Sequence, residues 1–321
     1  MGERTGLGFV EVTVLDALDV AGRESGGRAI RSARVVSAVD ERIGLAPGYA
    51  YEVLSDLALS WRVPVRLVSG YGAFDSRNGF PGVGFHGTEA RLSPAGEVAL
   101  AAERGEIAAV PIGLINGNAY RDGTRPPFRP QGIIDAIREV IRRPRVADGE
   151  ITAIIGPPDF LTGCQVTGDL AALANGEPAE LTLRARITID EDNHRLLVRD
   201  IPPNPDIDRI YEVHWAYDQV SNQAGLYAMA KESPLPSGAT GLPLEDVEPF
   251  FSGDSDLFVC TAAPGISLEW LRDQVAQIAG VVTTVKVALP RPLPDLVRQW
   301  VAAHESEDLL ASLTALEEAI P

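Results

Sequence analysis

The sequence predicts an α+β protein, on three observations. Apolar residues recur at three- and four-residue spacing over residues 29–43 and 133–141, the period of a helix with one buried face. Residues 181–189 instead alternate strictly, Leu181, Leu183, Ala185, Ile187 and Ile189 against Thr182, Arg184, Arg186 and Thr188, the period of a half-buried strand. After about residue 147 a hairpin, a helix and a strand follow one another, which suits an α+β domain.

In chain order, residues 8–20 alternate only in part and fit a strand or a short helix. Ile30, Ala33, Val36, Val39 and Ile43 mark an amphipathic helix. A second helix spans 48–61 and ends before Pro64. Val65, Leu67 and Tyr71 lead into a loop with glycines at 70, 72, 79, 82, 84 and 87. Helix is expected again from Thr88 to about Glu103, broken or restarted at Pro94, whose ring fixes φ and removes a donor. Ile133, Ile134, Ile137, Val140 and Ile141 form an apolar stripe that stops before Pro144. Asp190–Asn193 turns the chain so that 196–201 returns as a strand. Ser267 caps a helix running to Gly280, and Val281–Leu289 is a strand. Short helices at 293–304 and 309–320 close the chain.

A length of 321 residues exceeds the usual size of one core and predicts two domains. No window holds 18 uncharged apolar residues, so no membrane span is expected, and Met1–Arg4 lacks a signal pattern. Cys164 and Cys260 have no partners at metal spacing and read as free thiols of a cytoplasmic protein. The net charge of −17 opposes nonspecific attraction to phosphates, although a local basic stripe is compatible with it. Only Lys231 and Lys286 are lysines; the other basic residues are arginine. His194, His214 and His304 are isolated, and the Ser, Asp and His positions form no hydrolase motif. Neither a metal nor a cofactor is expected. Gly82-Val83-Gly84-Phe85-His86-Gly87 fits the dinucleotide pattern G-x-G-x-x-G, but no strand runs directly into it and Pro81 adjoins it, so the match reads as coincidental.

The stretch Trp61–Ser93 resembles the DNA-cleavage segment of the A subunits of type IIA topoisomerases, the gyrase and topoisomerase IV A subunits. Ser69-Gly70-Tyr71-Gly72 is similar to their D-G-Q-G, and Thr88-Glu89-Ala90-Arg91-Leu92 to their T-E-A-R-L. Leu114-Ile115-Asn116-Gly117, Arg125-Pro126-Pro127-Phe128, Gly156–Gly163 and Val198–Pro202 continue the resemblance, in order, over roughly residues 40 to 300. It implies a winged-helix-like, DNA-gate domain over 1–146, a tower-like α+β domain over 147–290 and a short helical tail over 291–321. About 30 residues follow Pro290, too few for the family's long coiled coil at about 1.5 Å per residue.

The same alignment places Gly87 at the DNA-attacking tyrosine and His86 at the arginine before it. Ile43–Pro47 stands where the family has His-Pro-His-Gly-Asp, and Ala119–Thr124 where it has a DNA-wedging isoleucine. A glycine cannot attack phosphorus, and strand cleavage also needs a neighbouring cation and metal-bound carboxylates from a partner ATPase subunit. His86 is a phosphate contact or an ordinary loop histidine. Arg91 is a candidate DNA contact, and Arg121, Arg125 and Arg129, with Arg138, Arg142, Arg143 and Arg145 after them, form either a phosphate-binding stripe or a solvated charged face. Tyr71 is the alternative nucleophile, with Tyr49 and Tyr51 beside it. The resemblance thus implies a homodimer that has lost cleavage and serves as a binding or regulatory module, partnering a gyrase or topoisomerase IV subunit or scaffolding DNA. One alternative is a topoisomerase subunit cleaving through a relocated tyrosine. Another is a protein- or small-molecule-binding module with no nucleic acid.

Overall fold

The computed structural model describes residues 4–74, 82–118, 124–203, 212–233, 241–252, 255–304 and 306–320. The N-terminal part runs α1 (Phe9–Glu24), β1 (Ile30–Arg31), α2 (Ser32–Ile43), α3 (Pro47–Asp56), β2 (Val68–Tyr71) and β3 (Glu89–Leu92). The strands make an antiparallel sheet in the order β1-β3-β2, with Ile30 opposite Ala90 and Val68 opposite Leu92. Val35, Val36 and Val39 bury the inner face of α2, and Gly44 ends it in the left-handed conformation at φ 64°. Residues 9–24 are a helix because Val14, Leu15, Leu18 and Ala21 repeat at helical spacing and are all buried.

The expected helix from Thr88 is corrected by the structure. Ala90 is buried between exposed Glu89 and Arg91, a two-residue period, so this segment is the strand β3. Helix begins only at α4 (Pro94–Glu103), where Pro94 occupies the first turn and the Ser93 hydroxyl accepts from the Gly96 N–H at 2.9 Å. Next come α5 (Ile112–Asn116), α6 (Pro130–Arg142) and α7 (Asp148–Ile155). Ile133, Ile134, Ile137 and Val140 of the α6 stripe are all buried.

The remainder is β4 (Gln165–Gly168), α8 (Leu170–Ala174), β5 (Ala179–Arg184), β6 (Arg186–Asp190), β7 (Arg195–Arg199), α9 (Glu212–Glu232), β8 (Leu244–Ser252), β9 (Ser255–Ala262), α10 (Leu268–Val275), β10 (Val282–Val287), α11 (Leu293–Ala302) and α12 (Ser306–Ala319). Two antiparallel sheets result, β10-β5-β4 and β6-β7-β9-β8. The alternating run 181–189 is shared between them. Up to Arg184 it pairs with β10 and from Arg186 with β7, while the Ala185 N–H bonds the Val281 carbonyl at 2.8 Å.

Among the described residues, buried apolar side chains form two clusters. The larger joins the N-terminal helices to β5, β10, α11 and α12. The smaller lies within residues 185–281, between the β6-β7-β9-β8 sheet, α9 and α10. α11 packs on α6 and α7, and α12 on α4 and α6, with Leu309, Leu313 and Leu316 fully buried. The C-terminal helices therefore belong to the core that also holds the N-terminal sheet.

Candidate nucleic-acid interface

Four of the candidates, Tyr71, His86, Gly87 and Arg91, lie on the hairpin β2–β3 and its connecting turn. The Val83 N–H donates to the Ala73 carbonyl at 2.9 Å, extending the hairpin beyond the paired strands. A turn then carries the chain from Gly84 to Gly87, closed by the Gly87 N–H to the Gly84 carbonyl at 3.2 Å. β3 follows, so no helix opens after the glycine pattern and a dinucleotide phosphate would find no helix N-terminus there.

The turn is held on the N-terminus of α2. The N–H groups of Ser32 and Ala33, which no helical carbonyl can satisfy, donate to the carbonyls of Thr88 at 2.9 Å and Phe85 at 3.0 Å. Beneath it the buried Thr88 Oγ1 lies 2.9 Å from Ser32 Oγ, 3.2 Å from Tyr51 Oη and 3.2 Å from the Gly84 carbonyl oxygen. The Tyr51 ring packs against Phe74 and Phe85, with centroids 6.0 and 5.9 Å away. Sequence reasoning misses this hydroxyl cluster; its one sign there is a Ser directly opening α2 and a Thr directly following Gly87.

Gly87 is exposed, and the space a side chain would need is taken. A Cβ built on it would lie 2.5 Å from Val83 Cγ2 and 2.9 Å from Val83 Cβ. Both are far inside van der Waals contact, and the second atom is fixed directly to the backbone, so the turn itself would have to open. His86 is exposed with its ring 4.3 Å from that of Phe85. Tyr71 and Arg91 project from the same face of the hairpin as diagonal neighbours, and the Arg91 guanidinium carbon stands 5.6 Å from the Tyr71 ring centroid. Both are exposed, Tyr71 by 41%.

The other arginines divide. Arg121 lies outside the described residues. Arg129 is exposed at the start of α6, and Arg125 is half-buried in a cavity wall. On α6 and just after it, Arg138 pairs with Glu317 at 2.6 Å, Arg142 with Glu139 at 2.7 Å, and Arg143 with Glu139 and Glu150. The hydrogen bond from Arg138 holds the Glu317 carboxyl below the ordinary range, and those from Arg142 and Arg143 do the same for Glu139. Three of the four guanidiniums after Arg129 are thus already neutralised by carboxylates, which is the behaviour of a solvated charged face.

Among the described residues no group of three His, Cys, Asp or Glu is placed to hold a metal ion. No described helix is long and apolar enough to cross a membrane. Neither Cys164 nor Cys260 takes part in a disulfide.

Over about half its length the chain is similar to the A subunits of type II DNA topoisomerases. The topoisomerase IV A subunit from Neisseria gonorrhoeae is 25% identical over 224 residues, which cover 61% of this chain and 29% of that protein. The gyrase A subunit from Helicobacter pylori is 28% identical over 227 residues, 62% of this chain and 27% of its own length. That from Haloquadratum walsbyi is 27% identical over 174 residues, 47% and 20% of the two chains. The chain therefore spans less than a third of the curated relatives it matches. No protein-family model matches it.

Proposed function

We propose that this chain is a non-catalytic relative of the topoisomerase A subunit, acting as a binding or regulatory module: a modulator of a gyrase or topoisomerase IV, or a DNA scaffold. The observation that carries this reading is the turn at Gly87, where the position aligned with the attacking tyrosine lacks a side chain and Val83 fills the volume one would need. A phenol is required there to form the covalent phosphotyrosyl link.

The helix–strand–helix–helix–strand–strand order of α1 to β3, with the third strand between the other two, supports a winged-helix reading of residues 1–146. In that reading 147–290 correspond to the tower and 291–321 to the tail, a division by family correspondence rather than by shared core. The hairpin face would then meet DNA through His86 and Arg91, with Arg129 and Arg121 toward the flanking backbone. Arg125, drawn into a cavity wall, is the weakest of the phosphate candidates. Two copies would pair through the winged-helix face in the cytoplasm. A relaxation assay with a supplied B subunit, ATP and supercoiled plasmid tests the proposal: no relaxation by this chain is expected, and relaxation that depends on it overturns the reading.

A second reading keeps cleavage through another tyrosine. It draws on Tyr71, exposed on the hairpin, and on Tyr51, whose hydroxyl reaches the residue after Gly87. Against it, Tyr51 is packed against Phe74 and Phe85 and its hydroxyl is engaged by Thr88, while a nucleophile must approach phosphorus to within about 3–3.5 Å in line. Loss of relaxation in Tyr71→Phe or Tyr51→Phe alone would establish it.

A further inference from the structure

We propose that a cavity at Arg125, away from the hairpin, binds a small organic carboxylate; the inference stands independently of the DNA-related reading. The cavity measures about 300 Å³ and lies between the α5 region and α11. That is the lower end of the range for small-ligand pockets, roughly 300–1,000 Å³. Leu114, Pro126, Leu289, Leu296 and the Trp300 ring supply apolar walls, and Gln299 and His304 add polar groups. A second cavity of about 210 Å³ shares Gly6, Gly113 and Arg125 with it, so Arg125 lines both.

The arginine is held in place by its backbone. The Asn118 N–H donates to the Arg125 carbonyl at 2.9 Å, and the Arg125 N–H donates to Asn118 Oδ1 at 2.9 Å. Gly117, at φ 61°, lets the Arg125–Pro126 backbone lie directly against it, where any Cβ would collide. Arg125 has no carboxylate partner among the described residues, so its charge is available to an anionic ligand. A half-buried arginine without a carboxylate partner among the described residues, lining a mostly apolar chamber, is matched by a planar carboxylate on an apolar body, which a guanidinium engages bidentately. The His304 Nδ1, 2.9 Å from the Trp300 carbonyl, is engaged there, which orients the ring and leaves Nε2 for a polar group of a ligand.

Phenylacetate, benzoate and hexanoate, each against its primary amide, test this on the full chain by ligand-detected NMR and tryptophan fluorescence. At least one acid is expected to bind saturably and at least tenfold more tightly than its amide. Arg125→Met should weaken that binding at least tenfold with the circular-dichroism spectrum unchanged. Ala303→Phe, which fills the chamber from the exposed end of α11 and keeps Arg125, should abolish it, and Trp300→Phe should remove the fluorescence response. If none of the acids binds the folded protein, if acids and amides bind alike, or if either blocking variant binds normally, the proposal is wrong.

Discussion

The guanidinium of Arg91 stands 5.6 Å from the ring centroid of Tyr71, across the two strands of the hairpin that carries the DNA-cleavage resemblance. The pair places a cation and a phenol side by side on an exposed face. It gives Tyr71 a packing role in which the hydroxyl takes no part. Tyr71→Phe should therefore leave stability unchanged to within about 0.5 kcal/mol, while Tyr71→Ala should cost about 0.5–1 kcal/mol, the range for an exposed cation–π contact. Urea unfolding of the two variants measures this, and equal losses would show that the ring face is not what Arg91 uses.

The crowding at Gly87 makes a second prediction. Gly87→Ala should destabilise the protein by about 1–3 kcal/mol, as overpacking does, because the new methyl meets Val83. Val83→Ala should be nearly silent alone, since Val83 is 57% exposed. The double variant should recover only the part due to the Cγ2 contact, because Ala at 83 keeps the Cβ that would lie 2.9 Å from the new methyl, a coupling of at least about 0.5 kcal/mol in a double-mutant cycle. Additive losses would place the strain elsewhere.

If the hairpin face contacts phosphates, Arg91→Ala should weaken DNA retention in filter binding at low salt and reduce the salt slope by about one. A variant that binds as wild type at every salt concentration would remove Arg91 from the interface.

The ion network between α1, α2 and α4 sets an acid limit. Burial acts to raise the carboxyls of Asp16 and Asp19, but hydrogen bonds from Arg104 and Arg42 to Asp16, and from Arg23 and Arg104 to Asp19, outweigh it, so both lie below the ordinary 3.8. A depressed folded value contributes stability above the unfolded value and loses it as pH falls through the folded one. Stability from this network is thus complete above about pH 4 and falls away below it. Arg104→Ala should cost about 1 kcal/mol or less at pH 7, given the partial exposure, and should lessen the further loss between about pH 4 and 2. Thermal melts across that range check both.

Burial pushes the Cys260 thiol up to about 12, whereas Cys164 is only half-buried. Iodoacetamide at about pH 8 should modify Cys164 in the native protein and reach Cys260 only with unfolding, because the thiolate is the reacting species. Mass spectrometry of the labelled peptides would detect the reverse order.

Much of the fold is legible where one periodicity acts alone. The α6 stripe and the 29–43 helix both emerge close to their expected bounds. Thr88–Leu92 misleads because a strand of four residues shows only two alternations, and the resemblance carries no backbone geometry. The long helix α9 and the hairpin β8–β9 escape sequence reasoning altogether. α9 buries Val213, Ala216 and Val220 along one face, but Trp215, Leu226 and Met229 lie off that stripe and blur the period. At the site, the absence of a phenol at position 87 is plain in the sequence. That Val83 occupies the space is not, since two exposed residues four apart meet only once the turn is closed. The pairing of Arg138 is likewise hidden, because Glu317 approaches from the far end of the chain.

Whether this chain cleaves DNA is read by a covalent trap. The chain is incubated with supercoiled plasmid, a gyrase or topoisomerase IV B subunit, magnesium and ATP, then quenched with detergent, and any protein left on DNA is identified by mass spectrometry. No peptide of this chain should remain attached to DNA, with the B subunit's authentic cleaving partner giving the positive control. A phosphotyrosyl peptide containing Tyr51, Tyr71 or any other tyrosine of this sequence would contradict the non-catalytic reading.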